Sequence, residues 1–286
     1  MTAHLDTSEI GVVDATRDRS WLTAAVQHQE ETLAAFLDKV TADPDTVAVV
    51  VDGSLAKGSE RSDSDVDVYL VVTDDAFATA RSNERLSYVD RDVATYDGGY
   101  VDIKVATLDY LRVAVREGDD PTRASFIGAR IAWSRDPEVA GLVAALPHLP
   151  DEAWDARAAA FIAQMRLYGG YFLRQGAQLG DELLLRWAAI HLLTSAGRAL
   201  LAHAHVLFPG AKYLSGLLAS LPDLPAGYLE LSHQLLVSPT PELGRSLMDL
   251  VETHADWPIT QEETLSRFVR DNELTWLTRV PPPEFR

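Results

Sequence analysis

Residues 53 to 67 read Gly-Ser-Leu-Ala-Lys-Gly-Ser-Glu-Arg-Ser-Asp-Ser-Asp-Val-Asp. An apolar run, Val47 to Val51, precedes this stretch, and another, Val66 to Val72, follows it. One strand therefore ends in a Gly-Ser turn, the chain loops, and a second strand opens with Asp65 and Asp67. Residues two apart on a strand point to the same face. Two carboxylates projected together repel unless a cation lies between them, and a hard divalent ion shared with phosphate oxygens meets that need. The glycine turn upstream leaves backbone N–H groups able to face a phosphate. The chemistry implied is that of a metal-bound nucleotide.

The pattern resembles the signature of the DNA-polymerase-β-like nucleotidyltransferase superfamily: an apolar strand, Gly53-Ser54, a short loop, then Ser64-Asp65-Val66-Asp67 opening the next strand. The form of Gly53 to Gly58 resembles the minimal and antibiotic-modifying branches. That family requires a third carboxylate on a later strand. Tyr100-Val101-Asp102-Ile103-Lys104-Val105 supplies one, with Asp102 between apolar neighbours.

The resemblance implies transfer of a nucleoside monophosphate, AMP from ATP, to a hydroxyl, with pyrophosphate expelled. Two Mg²⁺ ions would stabilise the attacking and leaving oxygens. Asp65 and Asp67 would hold both ions, while Asp102 would hold the catalytic ion beside the acceptor hydroxyl. Whether Asp102 takes the proton, or the ion acidifies the hydroxyl without it, stays open; Asp90, Asp92, Asp181 and Glu182 are unranked alternatives for a base. Gly53 and Ser54 would bind the β- and γ-phosphates, and Ser64 would cap the turn and brace the Asp pair. Lys57 would neutralise the carboxylates, and Lys104 shares the strand face of Asp102. Lys212 follows Phe208-Pro209-Gly210-Ala211, in a segment resembling the aromatic-Pro-x-x-Lys-aromatic-Leu pattern of related small-molecule enzymes. There it would clamp the triphosphate.

Composition narrows the partners. The chain has 286 residues and a formal net charge of −18. Such acidity disfavours nucleic acid, whose backbone needs basic surfaces. It would instead concentrate a cationic small molecule, such as an aminoglycoside. No run approaches a membrane span, the first residues lack a signal-peptide pattern, and cysteine is absent, which together fit a cytoplasmic protein. Oligomeric state is not legible. Protein AMPylation, as in minimal antitoxin-type relatives, and a nucleotide-binding module without turnover are the competing readings.

The elements that must position these residues form an α+β protein. Residues 1–16 read as a leader and 17–148 as the nucleotidyltransferase domain, a mixed sheet with helices; 149–286 read as an all-helical acceptor-binding domain. Helical spacing runs from Ser20 to Val40. Strands are expected at Thr46 to Asp52, Val66 to Val72 and Arg130 to Ser134, and helices at Asp74 to Leu86 and Thr107 to Glu117. Asp92 to Tyr96 and Tyr100 to Ala106 flank Asp97-Gly98-Gly99, a hairpin signal that puts Asp102 on the second arm. Pro147-His148-Leu149-Pro150 reads as a linker. Long helices follow at Asp151 to Gln175 and Glu182 to Val206, with shorter ones to Asn272. His203 and His205, two apart on a helix, make a poor metal pair. His191 reads as a packed or surface histidine. Tyr168, Tyr171, Phe172 and Trp187 read as core more than cleft, and Glu152, Asp155 and Asp181 as a solvated face.

Overall fold

The computed structural model describes residues 24–58 and 64–285. The expected leader, residues 1–16, lies outside them. The described residues divide into two compact units, one running up to Gly118 and resuming over 125–147, the other formed by 119–124 and the residues from His148 on.

The first unit is built on a five-stranded mixed sheet. Its strands are β1 (Thr46–Val51), β2 (Val66–Val72), β3 (Ser87–Asp90), β4 (Val101–Thr107) and β5 (Arg130–Ser134), in the spatial order β3-β4-β2-β1-β5. The pairs β1/β2, β1/β5 and β3/β4 are antiparallel, whereas β2 and β4 run parallel. β1 and β2 are buried along nearly their whole length. They accordingly read as continuous β-branched runs, as strands covered on both faces do. On one face Val49, Val51, Val66, Val68, Val101 and Ile103 pack with Leu33 and Phe36 of α1 (Ala24–Val40) and Leu55 of α2 (Gly53–Lys57), and Phe77 of α3 (Asp74–Ser82) adds to them. On the other, Ala48, Val50, Tyr69, Val71 and Ala106 pack with Leu111 of α4 (Leu108–Glu117) and Val139 and Val143 of a helix at Glu138–Ala145. Thr73 and Thr107 cap α3 and α4 by accepting from Ala76 N and Tyr110 N, the usual use of a threonine hydroxyl at a helix start.

The hairpin exists, but its first arm is Ser87–Asp90 and not Asp92 to Tyr96. Residues 95 and 96 are drawn elsewhere: Thr95 N donates to the Thr32 hydroxyl (3.1 Å), and Tyr96 Oη donates to the Ser64 carbonyl (2.5 Å). Asp102 remains on the second arm. α3 also stops four residues short of Leu86, at Ser82.

The second unit is helical. It takes α5 (Asp120–Ser125) for most of its length and follows α6, the helix at Glu138–Ala145, with α7 (Asp151–Leu167), α8 (Leu173–Leu179) and α9 (Glu182–His203). α10 (Leu214–Ser220), α11 (Tyr228–Val237), α12 (Pro241–Glu252), α13 (Thr264–Phe268) and α14 (Thr275–Thr278) complete it. α7 and α8 are joined by a π-helical turn at Tyr168–Phe172, and α13 runs into a second one at Val269–Glu273. The core is apolar, with Ile162, Met165, Leu173, Leu192 and Leu247 fully buried. Within it Asp120 is buried and paired twice, to Arg157 Nε (2.8 Å) and Arg198 Nη2 (3.2 Å). No helix among the described residues is long and apolar enough to cross a membrane.

Candidate active site

Asp67 and Asp102 are register partners on the parallel pair β2/β4. Their immediate neighbours Val66, Val68, Val101 and Ile103 point into the α1/α3 side, so alternation turns both carboxylates to the α4/α6 side. Asp65, two residues before Asp67, joins them. One carboxylate oxygen from each of the three lies within 4.8 Å of the others, and all three residues are half-buried. An octahedral Mg²⁺ with bonds of about 2.1 Å spaces its oxygens about 3–4.2 Å apart. The set therefore closes on a hard cation with shifts of about half an ångström.

Gly53 shows how closely the turn approaches this set. Its φ is +67°, and a Cβ added there would sit 2.0 Å from Asp67 Oδ2 and 2.8 Å from Asp67 Cγ. Glycine is required twice over, by the left-handed backbone and by the carboxylate pressed against it. The expected turn is a single helical turn, Gly53–Lys57, closed by Gly58 at φ +63°. Ser54 is half-buried in that turn, and Lys57 lies exposed at its end.

Ser64 and Asp65, just before β2, are held from outside. The Ser64 carbonyl accepts from Gln29 Nε2 of α1 (3.2 Å) and from Tyr96 Oη. Tyr100 hydrogen-bonds the Asp65 carboxylate, which raises the phenol's pKa, and the Arg91 guanidinium stacks on the Tyr100 ring at 4.8 Å.

Asp52 is the residue that reading the sequence missed. It ends β1, is buried, and its N–H donates to the Asp67 carbonyl (3.0 Å), extending the ladder by one step. Asp52, Asp67 and Asp102 thus form one row across three adjacent strands. Burial pushes the Asp52 carboxyl up to about 6; the Lys104 and Lys57 charges hold it down and Asp67 pushes it further up. In the sequence Asp52 looks like the polar end of an apolar run, and only the antiparallel register of β1 on β2 reveals its place. Lys104 is two residues further along β4, on the same face as Asp102, its ammonium 5.3 Å from the Tyr69 ring centroid.

Asp90 is buried and accepts from Lys39 Nζ at 2.5 Å and from Asp92 N at 3.0 Å. Asp181 caps α9 by accepting from Leu184 N, and Glu182 pairs with Arg186. His205 stacks on Trp154, and His203 lies against His254 and Trp257. Lys212 belongs to the second unit, on a 3-10 turn at Ala211–Tyr213 after Gly210, with its ammonium 4.8 Å from the Tyr213 ring.

No family model matches the chain, and no curated protein matches it. Among solved structures it is similar to a nucleotidyltransferase-like protein from Exiguobacterium sibiricum 255-15, with a TM-score of 0.50 and 13% identity over 88% of this chain and 79% of that one. That likeness shows a nucleotidyltransferase-like fold.

Proposed function

We propose that this chain is a metal-dependent nucleotidyltransferase that moves AMP from ATP to a hydroxyl of a small molecule and releases pyrophosphate. The observation that carries the reading is the Asp65–Asp67–Asp102 set with the Gly53 turn pressed against it. The donors are all hard oxygens, which suits Mg²⁺. When bound, the ions supply charge neutralisation at the attacking and leaving oxygens of an in-line displacement.

The row across the sheet supports assigning each residue a side. Gly53 and Ser54 flank Asp67 from the β1 end, and their turn takes the β- and γ-phosphates. Asp102 flanks it from β4 and takes the acceptor side. The bond from the α-phosphorus to its bridging oxygen breaks, and a bond to the acceptor oxygen forms. Asp102 receives the acceptor's proton. Ser64, held through its carbonyl by Gln29 and Tyr96, keeps Asp65 and Asp67 in place, and Lys57 offsets their charge. The net charge of −18 favours a cationic acceptor of the aminoglycoside kind,.

Pyrophosphate release from ATP and Mg²⁺ across a panel of hydroxylated amines tests the reading. Acceptor-dependent release that vanishes in Asp65→Asn and Asp67→Asn, with both variants folded, is the expected result. Transfer of label to a protein, nucleotide binding with no release, or normal turnover in either variant overturns it.

A further inference from the structure

The face of the sheet turned away from the carboxylates carries a cleft that nucleotidyl transfer, as derived above, does not use. Leu70 and Val72 of β2 and Val105 of β4 form its floor, and Ala76 and Ala80 of α3 form one wall. These strand positions alternate with Asp67 and Asp102, so the cleft and the carboxylate row occupy opposite faces of the same two strands,.

The sequence leaves this space open. α3 lines it with Ala76, Thr79 and Ala80, residues too short to fill the gap, and none of its residues is buried. Leu70 and Val72 accordingly keep 7% and 8% of their surface, where Val49, Val51 and Val66 on the same face keep none. The cleft measures about 240 Å³, against about 150 Å³ for an apolar cavity that takes benzene. It therefore admits one ring or a short chain.

The mouth is polar, lined by Asn83, Arg85 and Tyr88. The end of α3 sets the position of Arg85. Its N–H donates to the Ala80 carbonyl (2.8 Å), the Glu84 N–H donates to the Arg81 carbonyl (3.2 Å), and Glu84 holds the left-handed φ of +54° that this Schellman closure requires,. The guanidinium carbon then lies 4.4 Å from the Tyr88 ring centroid. Burial raises the Tyr88 phenol, and the Arg85 charge draws it back down. Acids outnumber bases 43 to 25 in this chain, yet among the described residues none pairs with Arg85. A guanidinium offers a carboxylate two parallel N–H donors, and the floor below offers apolar surface. The net charge of −18 opposes an anion at long range, but at physiological salt that field is screened beyond about 8 Å, while the contact at Arg85 is direct.

We propose that this cleft binds a small carboxylic acid with an aromatic or short aliphatic body, its carboxylate on Arg85 and its body on Leu70, Val72 and Val105. The site is separate from the transfer reaction and needs neither nucleotide nor metal.

The test titrates the full chain, at about 0.15 M salt, with para-fluorobenzoate and with para-fluorobenzyl alcohol as its uncharged counterpart, both followed by fluorine NMR. The carboxylate should bind about three- to tenfold more tightly than the alcohol, since an exposed guanidinium gives less than a buried one. Arg85→Gln should remove that preference while the alcohol still binds. Arg81→Gln, the same change of charge four residues earlier, should keep it, which separates contact from field. Ala80→Leu fills the cleft from α3 and should abolish saturable binding of both compounds, with thermal melts to confirm its fold. Equal affinity for the two compounds, a preference that survives in Arg85→Gln or disappears in Arg81→Gln, or undiminished binding in Ala80→Leu overturns the site. So does the absence of saturable binding by either compound. Arg85 is exposed, so Arg85→Gln decides the matter should Ala80→Leu not fold.

Discussion

Replacing Gly53 by alanine isolates the close approach of the turn to Asp67, because Gly58 offers a matched comparison. Both glycines have left-handed backbones, φ +67° and +63°, but a Cβ at Gly58 meets nothing within 4 Å. The backbone penalty for a non-glycine residue there is about 1–2 kcal/mol. At about 2–4 °C per kcal/mol, each variant should lose about 2–8 °C of Tm. Gly58→Ala should lose nothing more. At Gly53 the new Cβ would stand 2.0 Å from Asp67 Oδ2, where ordinary contact begins near 3.4 Å. The carboxylate must therefore retreat by about 1.4 Å, against a tolerance of about 0.2 Å in metal–ligand distances. Asp67 ceases to be a ligand. Disturbing even an outer-shell partner costs metal affinity about 10–100-fold, so Gly53→Ala should lose at least the upper end of that range. Mn²⁺ binding followed by electron paramagnetic resonance, with thermal melts of both variants, provides the readout. Should Gly53→Ala bind Mn²⁺ as tightly as Gly58→Ala, either Asp67 is not a ligand or the turn does not set its position.

Two further outcomes are expected. Asp102→Asn should lower kcat by about 10²–10⁴, the range for losing a general base, while the KM for ATP stays near the parent's; an effect on KM alone would remove Asp102 from the acceptor side. Lys39→Ala strands the buried Asp90 carboxylate and should cost about 1 kcal/mol or less, because Lys39 is half exposed,. Asp90 raises the Lys39 pKa above its ordinary 10.5, so that stability is fully present below about pH 10.5 and lost as pH rises through the folded value. Melts across that range should show the gap between parent and variant closing only at the alkaline end.

Residues that act through local pattern were legible in the sequence, and residues that act through register were not. Asp67 and Asp102 announce themselves because alternation within a strand, between β-branched neighbours, fixes their face without knowledge of the sheet, and Asp65 stands two residues before Asp67. Asp52 gives no such signal; its neighbour is set by how β1 lies on β2, and no residue near Asp52 encodes that. The first arm of the hairpin was misplaced for a related reason. Tyr96 looks like a strand residue by type, yet its hydroxyl serves the Ser64 carbonyl 32 positions earlier. Lys39 reads as an ordinary lysine near a helix end and proves to be the partner of a buried acid 51 residues on. Glu284 is more remote still, its carbonyl accepting from Arg198 Nη1 86 positions earlier, in a Pro-rich end that carries no periodicity. The π-helical turn at Tyr168–Phe172 was invisible because an extra residue in a helix shifts the phase of the pattern without ending it.

The hexapeptide at residues 119–124 sets an order of events during synthesis. It clusters with the helical unit although the chain then returns, at Ser125, to complete the sheet with β5. Asp120 leaves the ribosome 37 residues before Arg157 and 78 before Arg198. At about 5–20 residues per second, the wait for the second arginine is about 4–16 s. Through that interval the sheet can be finished on both sides of a hydrated acidic loop whose carboxylate has nowhere to be buried. The helical unit can be completed only once both arginines have been made. A gene break at residue 148 would separate the two arginines from the acid that neutralises them, so the halves of this protein are poor candidates for exchange by a single crossover.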